Sequence, residues 1–202
     1  MSEPLLTFRE VMKRLRAECP WKAGQTHRSL TRYLLEETYE TLEALDTGDQ
    51  AALREELGDL LLQIYFHAAI AEESGEFTID DVAADITEKM RRRNPHVFGT
   101  LPDSGASDRD LDPAAVNELW ESVKATEKER TSLVEGIPDA LPALLYADKV
   151  LDRRTRAGSP DPELDGSDLG DRLLALVQEA RVSGTDPEQA LRDSVRRVLE
   201  DQ

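Results

Sequence analysis

Sulfur, aromatic rings and positive charge are all scarce in this 202-residue chain. Its one cysteine, Cys19, excludes an internal disulfide and suits a reducing compartment. No apolar run approaches the roughly 20 residues that span a bilayer. The opening Met-Ser-Glu-Pro-Leu-Leu-Thr-Phe has no basic stretch before an apolar core, so no signal peptide is expected. These features predict a cytoplasmic protein with no membrane partner. Against 42 acidic side chains stand only 25 basic ones, a formal net charge of −17. Such a chain repels nucleic-acid polymers unless it carries a local basic patch, although divalent cations can still mediate contact with a polyphosphate. No Walker-type or dinucleotide glycine loop is present. None of His27, His67 and His96 follows a Glu by three residues, which excludes the Glu-x-x-His pairing of di-iron bundles.

What the chain does have is helical periodicity. A chain of this length buries one core, or one core with a small appendage. Apolar residues recur at helical spacing in 5–18, where Leu5, Phe8, Val11, Met12 and Leu15 precede a stop at Pro20. The pattern resumes over 28–46, breaks at Thr47-Gly48-Asp49, and returns in the most apolar stretch, 50–73. Thr78 followed by Asp81 reads as a helix cap with an acidic third residue, opening a helix that ends at Asn94 before Pro95. Residues 99–111 read as a mobile loop. Asp112-Pro113 then offers a cap and a first-turn proline for a helix to about Glu129. Further helices are expected over 139–156, 171–183 and 186–200, with a Gly/Pro/Asp/Ser-rich linker at 157–170. No strand pattern appears, so the expected class is all-α.

Chemistry concentrates around the Gly48 turn. Glu36-Glu37-Thr38-Tyr39-Glu40 precedes it and Glu56-Leu57-Gly58-Asp59 follows it. Glu40 and Glu56 are equally far from Gly48 along the chain, as are Glu37 and Asp59. If two antiparallel helices meet there, the pairs form layers roughly 12 and 16 Å from the turn. Within each helix the i,i+3 acids share a face. Glu37 falls in the stripe Leu30, Tyr33, Leu34, Thr41, Leu45, and Glu56 is flanked by Leu53 and Leu60. Acids are common on solvated faces of so acidic a chain. Ionised carboxylates beside an apolar interface, however, repel one another and are costly to desolvate. A hard divalent cation removes that cost, and all-oxygen ligation favours Mg²⁺, with Mn²⁺ as a substitute, over zinc.

A triphosphate on such a centre also needs cations. Lys89-Met-Arg-Arg-Arg93 is the densest basic run, and Lys89 and Arg93 share a face. Favourable charge at a helix C-terminus is the plainer explanation of that run, worth only ~0.3–1 kcal/mol. Trp120 and Lys124 repeat the i,i+4 spacing on the next helix, where Trp120 is either a core anchor or a stacking platform for a base. Trp21, after Cys19-Pro20, is expected to pack at a bend.

The motifs Leu35-Glu-Glu-Thr-Tyr-Glu40, Glu56-Leu-Gly-Asp-Leu-Leu-Leu62 and Lys89-Met-Arg-Arg-Arg-Asn-Pro-His-Val-Phe98 resemble the MazG nucleotide pyrophosphohydrolases. Cys19-Pro-Trp21, Gln25-Thr-His27, Trp120 with Lys124, and Gly136-Ile-Pro-Asp-Ala-Leu-Pro-Ala143 extend the resemblance over residues 5–150. It implies a helical, MazG-like bundle that forms a homodimer and converts nucleoside triphosphates to monophosphate and pyrophosphate. It implies Mg²⁺ on Glu37, Glu40, Glu56 and Asp59, with Glu36 assisting the metal or orienting water. Lys89, Arg93, Trp120 and Lys124 match positions that hold substrate. A dUTPase-like or phosphoribosyl-ATP hydrolase is the related alternative, and a non-catalytic helical interaction protein the unrelated one. Lys22 departs from the pattern, which usually has an acid after Cys-Pro-Trp. Asp168-Leu-Gly-Asp-Arg-Leu-Leu174 echoes the motif at Glu56, but no acidic helix precedes it. The implied organisation is a catalytic module over 1–156, a linker over 157–170, and over 171–202 half of a degenerate second module.

Overall fold

The computed structural model describes residues 3–99, 112–127 and 132–200, without the side chains at 114, 121 and 124–126. The expected loop at 99–111 lies, beyond Gly99, outside the described residues. Among the described residues there are ten helices and no strand, so the class is all-α. The chain divides into two compact units, Met1–Lys124 and Ala125–Gln202.

The first unit is built on a long helical hairpin. Helices α1 (Glu3–Glu18) and α2 (Pro20–Ala23) lead into α3 (His27–Thr47) and α4 (Gln50–Glu73). Thr26 caps α3, accepting from the Ser29 amide at 3.1 Å while Ser29 Oγ accepts from the Thr26 amide at 3.0 Å. At the other end Gly48 takes φ 71°, a left-handed conformation that a side chain would strain. One residue on, Asp49 Oδ1 accepts from the amides of Ala51 and Ala52 at 2.9 and 3.1 Å and starts α4. The chain therefore reverses in two residues, and α3 and α4 pack against each other.

Helix α1 lies on α4, and their shared core holds Met12, Leu30, Tyr65, Phe66, Ala68 and Ile79. Each fully buried aliphatic side chain there is worth about 1.5–3 kcal/mol over exposure. Arg16 is buried too. Its guanidinium donates to Glu73 (Nε–Oε1 2.8 Å), to the Lys22 carbonyl, and to the Gln25 carbonyl at 3.1 Å. One side chain thus ties α1 to the end of α4 and to the chain entering α3. Pro20 does not simply stop α1, as the sequence suggests. It takes the first position of α2, where its missing amide costs nothing.

Beyond α4, the Thr78–Asp81 capping box forms as expected and opens α5 (Ile79–Arg93), followed by α6 (Pro95–Phe98) and α7 (Pro113–Thr126). Asp112 accepts from the Ala115 amide at 2.8 Å.

The second unit contains α8 (Ala143–Arg156), α9 (Leu169–Val182) and α10 (Pro187–Glu200), each packed on the other two. Helix α8 begins four residues later than its apolar pattern suggests, because Pro142 in an extended conformation precedes it. Arg181 bonds Asp148 at 2.8 Å and joins α9 to α8. Asp168, which echoes Glu56 in sequence, caps α9 by accepting from the Asp171 amide at 2.8 Å.

Candidate metal centre

The hairpin brings together acids that are 19 to 22 positions apart in the chain. Glu37 on α3 and Glu56 and Asp59 on α4 each offer one carboxylate oxygen within 4.8 Å of the other two, and all three side chains are half-buried. Among the described residues no other such group occurs. Glu40, one turn along α3, hydrogen-bonds to Glu37 and adds its charge to both Glu37 and Glu56. Glu36 is exposed and stands outside the three. Two-residue reversal at Gly48 sets this register, since it holds Glu37 level with Asp59.

Electrostatics mark the group as unbalanced. Burial first, and then the charges of Asp59, Glu40 and Glu56, raise the pKa of Glu37. Burial followed by Glu40, Asp59 and Glu55 raises that of Glu56. Among the described residues no basic side chain contributes to either shift. Carboxylates held close and short of countercharge are stabilised by a cation, and an oxygen-only donor set suits a hard divalent one.

The basic residues belong to other elements. Lys89 and Arg93 are half-buried on α5, and the Arg93 guanidinium lies 5.0 Å from the centroid of the Trp120 ring on α7. That contact is a cation–π pair worth about 0.5–1 kcal/mol near a surface. Arg91 and Arg92 are exposed. The side chain of Lys124 lies outside the described residues. Trp21, expected to pack, is instead 52% exposed, edge-on to Tyr33 at 6.1 Å. The divergent Lys22 is absorbed by aromatic faces, its ammonium 5.4 Å from the Trp21 ring and 5.3 Å from Phe66.

Two further features of the hairpin were not apparent from sequence. His27 and His67, which occur singly in the chain, meet through Nδ1 atoms 2.7 Å apart. Gln63, one turn from Asp59, is buried. The symmetry about Gly48 that pairs Glu37 with Asp59 also brings residue 27 close to residue 67, so the same register could have found the histidine pair.

Fold and site define an all-α protein with an oxygen-only carboxylate centre compatible with a divalent cation. Residues 25–98 match the MazG nucleotide pyrophosphohydrolase domain. The chain is 36% identical to the nucleoside triphosphate pyrophosphohydrolase/pyrophosphatase MazG of Thermotoga maritima, over 99% of this chain and 86% of that one. It is also 36% identical to the nucleoside triphosphate pyrophosphohydrolase of Escherichia coli strain K12, over 90% and 79%. A 26.1 kDa protein from the blaB 3′ region of Streptomyces cacaoi is 46% identical, over 93% and 76%. The chain belongs to the MazG family of nucleotide pyrophosphohydrolases.

Proposed function

We propose that this protein is a Mg²⁺-dependent hydrolase that cleaves nucleoside triphosphates to the monophosphate and pyrophosphate, clearing the nucleotide pool. The observation that carries the reading is the convergence of Glu37, Glu56 and Asp59 within 4.8 Å, in a chain of this family. Glu37, Glu40, Glu56 and Asp59 hold the cation. Their oxygen donors and their mutual repulsion fit Mg²⁺, with Mn²⁺ as a substitute. A divalent cation there supplies charge neutralisation of the polyphosphate and Lewis-acid activation of the attacking water.

The chain's own residues do the rest. Glu37 and Glu56 ligate in their ionised form, which burial and the neighbouring carboxylates disfavour, so cation binding and ionisation are coupled. Glu36, exposed and next in the chain to Glu37, assists the metal or orients the attacking water. Lys89, Arg93 and Lys124 offset charge developing on the leaving pyrophosphate. Trp120 offers a π-face to the base, with Arg93 already lying over that ring.

All of these residues fall within 1–156, the proposed catalytic module. Residues 157–170 are then a linker and 171–202 a non-catalytic remainder of a second module. The proposed assembly is a homodimer, which would cover apolar side chains left exposed on α3 and α4, among them Leu34, Leu35, Leu57 and Ile64. A cytoplasmic location belongs to the same reading. The free thiol of Cys19 suits a reducing compartment, and no helix among the described residues is long and apolar enough to cross a membrane.

The test is release of pyrophosphate from a panel of ribo- and deoxyribonucleoside triphosphates, dUTP and phosphoribosyl-ATP, with and without Mg²⁺, and with products identified. Mg²⁺-dependent pyrophosphate with a nucleoside monophosphate is expected. Orthophosphate and a diphosphate, or no turnover at all, would overturn the reading.

A further inference from the structure

His27 and His67 meet with little freedom. Their ring planes are parallel, their centroids 5.0 Å apart and their Nδ1 atoms 2.7 Å apart. One N–N contact and two ring radii add up to that centroid distance, so the rings lie edge to edge with the Nδ1 atoms aimed at each other. A metal ion between them, about 2.0–2.1 Å from each nitrogen, would hold them roughly 4 Å apart. At 2.7 Å there is room for one proton, donated by one ring and accepted by the other.

The outer nitrogens decide whose proton it is. His27, the first residue of α3, is exposed, and water can satisfy its second nitrogen. His67 is half-buried on α4, and its Nε2 is sealed from solvent with no partner among the described residues. The neutral pair therefore has His67 donating through Nδ1–H with a bare Nε2, while His27 accepts and keeps its own proton on Nε2. An added proton, while the contact holds, would leave a charged N–H at the buried Nε2 of His67, where nothing accepts it. A second would set two Nδ1–H groups against each other. A cation on the first residue of a helix is also opposed by the helix dipole. The pair can take up a proton only by coming apart.

The charges on the elements around this end of α4 offer no relief. From α1, Arg9, Lys13 and Arg16 pair with Asp80 of α5 and with Glu72 and Glu73 of α4 itself. From α2, Lys22 lies against the Trp21 and Phe66 rings. From α3, Arg32 lies on Tyr33, and Arg28 is exposed. No carboxylate among the described residues offsets a charge on His67, whose pKa is lowered by burial and then by the charge of His27.

We propose that His27 and His67 form an acid-released latch on the open end of the α3–α4 hairpin, closed at neutral pH by one hydrogen bond from His67 Nδ1 to His27 Nδ1 and opened when the pair takes up a proton. The Gly48 turn joins the same two helices at the other end, and the carboxylate trio lies between turn and latch. Arg16 holds the carbonyls of Lys22 and Gln25 whatever the state of the histidines, so opening frees the first turn of α3 and leaves α1 and α2 in place. With the value of His67 lowered in the fold, the latch's stability is present above the ordinary histidine value. It is lost as pH falls through the folded value. The latch does not depend on the hydrolysis proposed above.

The experiment uses the full-length protein, His27→Ala, which removes the acceptor, and His27→Asn, whose amide oxygen can replace Nδ1 without titrating. Nitrogen-15 spectra of the three imidazoles report tautomer and protonation, and urea unfolding is measured at about pH 7.5 and about pH 5.5, either side of the ordinary histidine value. The wild-type spectra should show His67 as the Nδ1–H tautomer at the higher pH. His27→Ala is expected to raise the unfolding constant by roughly 3- to 10-fold there, and the difference from wild type should vanish at the lower pH. His27→Asn should keep more of its stability on acidification than the wild type does. Hydrogen exchange in the first turn of α3 should quicken with acid in the wild type and be fast at both values in His27→Ala. A His67 that carries its proton on Nε2 at the higher pH overturns the latch. So does a difference between wild type and His27→Ala that is absent, or equal at both pH values. If neither variant folds, the wild-type spectra and exchange decide alone, and exchange in that turn unchanged as the histidines titrate overturns it.

Discussion

Helix α4 carries two charged regions that solve opposite problems. Near its start, Glu56 and Asp59 face Glu37 with no basic contribution among the described residues, and burial and the neighbouring charges push the pKa values of Glu37 and Glu56 up. At its end, Glu72 and Glu73 face Arg9, Lys13 and Arg16 of α1. There the hydrogen bond from Arg16 pulls Glu73 down. The second region is complete as it stands and holds helices together. The first is incomplete and gains from an added cation. A protein can carry unbalanced charge in one place because balanced charge and apolar packing hold the frame elsewhere.

Removing a ligand from the unbalanced region should have the largest effect. Asp59→Asn is expected to lower turnover by roughly two orders of magnitude or more, because a ligand charge is lost with little change of shape. Without metal the same change should leave stability equal or higher, since it relieves repulsion. Steady-state kinetics and urea unfolding on one preparation decide this. A near-native rate at limiting Mg²⁺ would remove Asp59 from the centre.

The balanced region should respond in the opposite sense. Arg16 is 8% exposed in its side chain, and Arg16→Met strands the carbonyls of Lys22 and Gln25 as well as Glu73. A loss of about 2 kcal/mol is expected, at the lower end for a buried ion pair because Glu73 itself is half-exposed. Equilibrium unfolding checks it, and a loss below a few tenths would make Arg16 dispensable.

Acidity sharpens the contrast further. Glu37 and Glu56, with raised values, bind more protons folded than unfolded in the window above the ordinary carboxylate value. Their contribution therefore falls as pH rises through that window. Glu73, with a lowered value, contributes stability above the ordinary range and loses it as pH falls through its own value. Mg²⁺ should then raise the melting temperature by several degrees near about pH 7 and by less near about pH 5, where protons compete for the same oxygens. Thermal melts at both values with and without Mg²⁺ measure this. An increment independent of pH would mean that the raised carboxyls do not bind the ion.

The smallest effect belongs to a pair that looks equally good on paper. Arg14 and Glu18 lie 3.0 Å apart, four residues from each other, but both are largely exposed. Arg14→Ala should cost about 0.3–0.5 kcal/mol and lose even that in high salt. A cost equal to that of Arg16→Met would show that burial does not separate these pairs.

Much of the hairpin was legible from the chain because it rests on local signals. Apolar spacing, the Thr78–Asp81 cap and the Gly48 break mark α3, α4 and α5, and equal distances from Gly48 place Glu37 against Asp59. What was not legible depends on contacts between distant segments. Arg16 reads as an ordinary charge until Glu73 and the carbonyls of Lys22 and Gln25 converge on it. Gln63 reads as one polar residue in an apolar run until its burial is known. The late start of α8 reflects Pro142, whose local restriction overrides the apolar pattern on either side of it.

The reversal at Gly48 and Asp49 also constrains how this gene can change. Substitutions on either arm alter one side chain at a time and can be absorbed. A single codon inserted between Glu40 and Glu56 cannot, because an extra helical residue turns everything beyond it by about 100° and advances it by about 1.5 Å. Glu56 and Asp59 would then face away from Glu37, although every residue of the centre were still encoded. Variation in this stretch should therefore accumulate as changes of letter and almost never as changes of length.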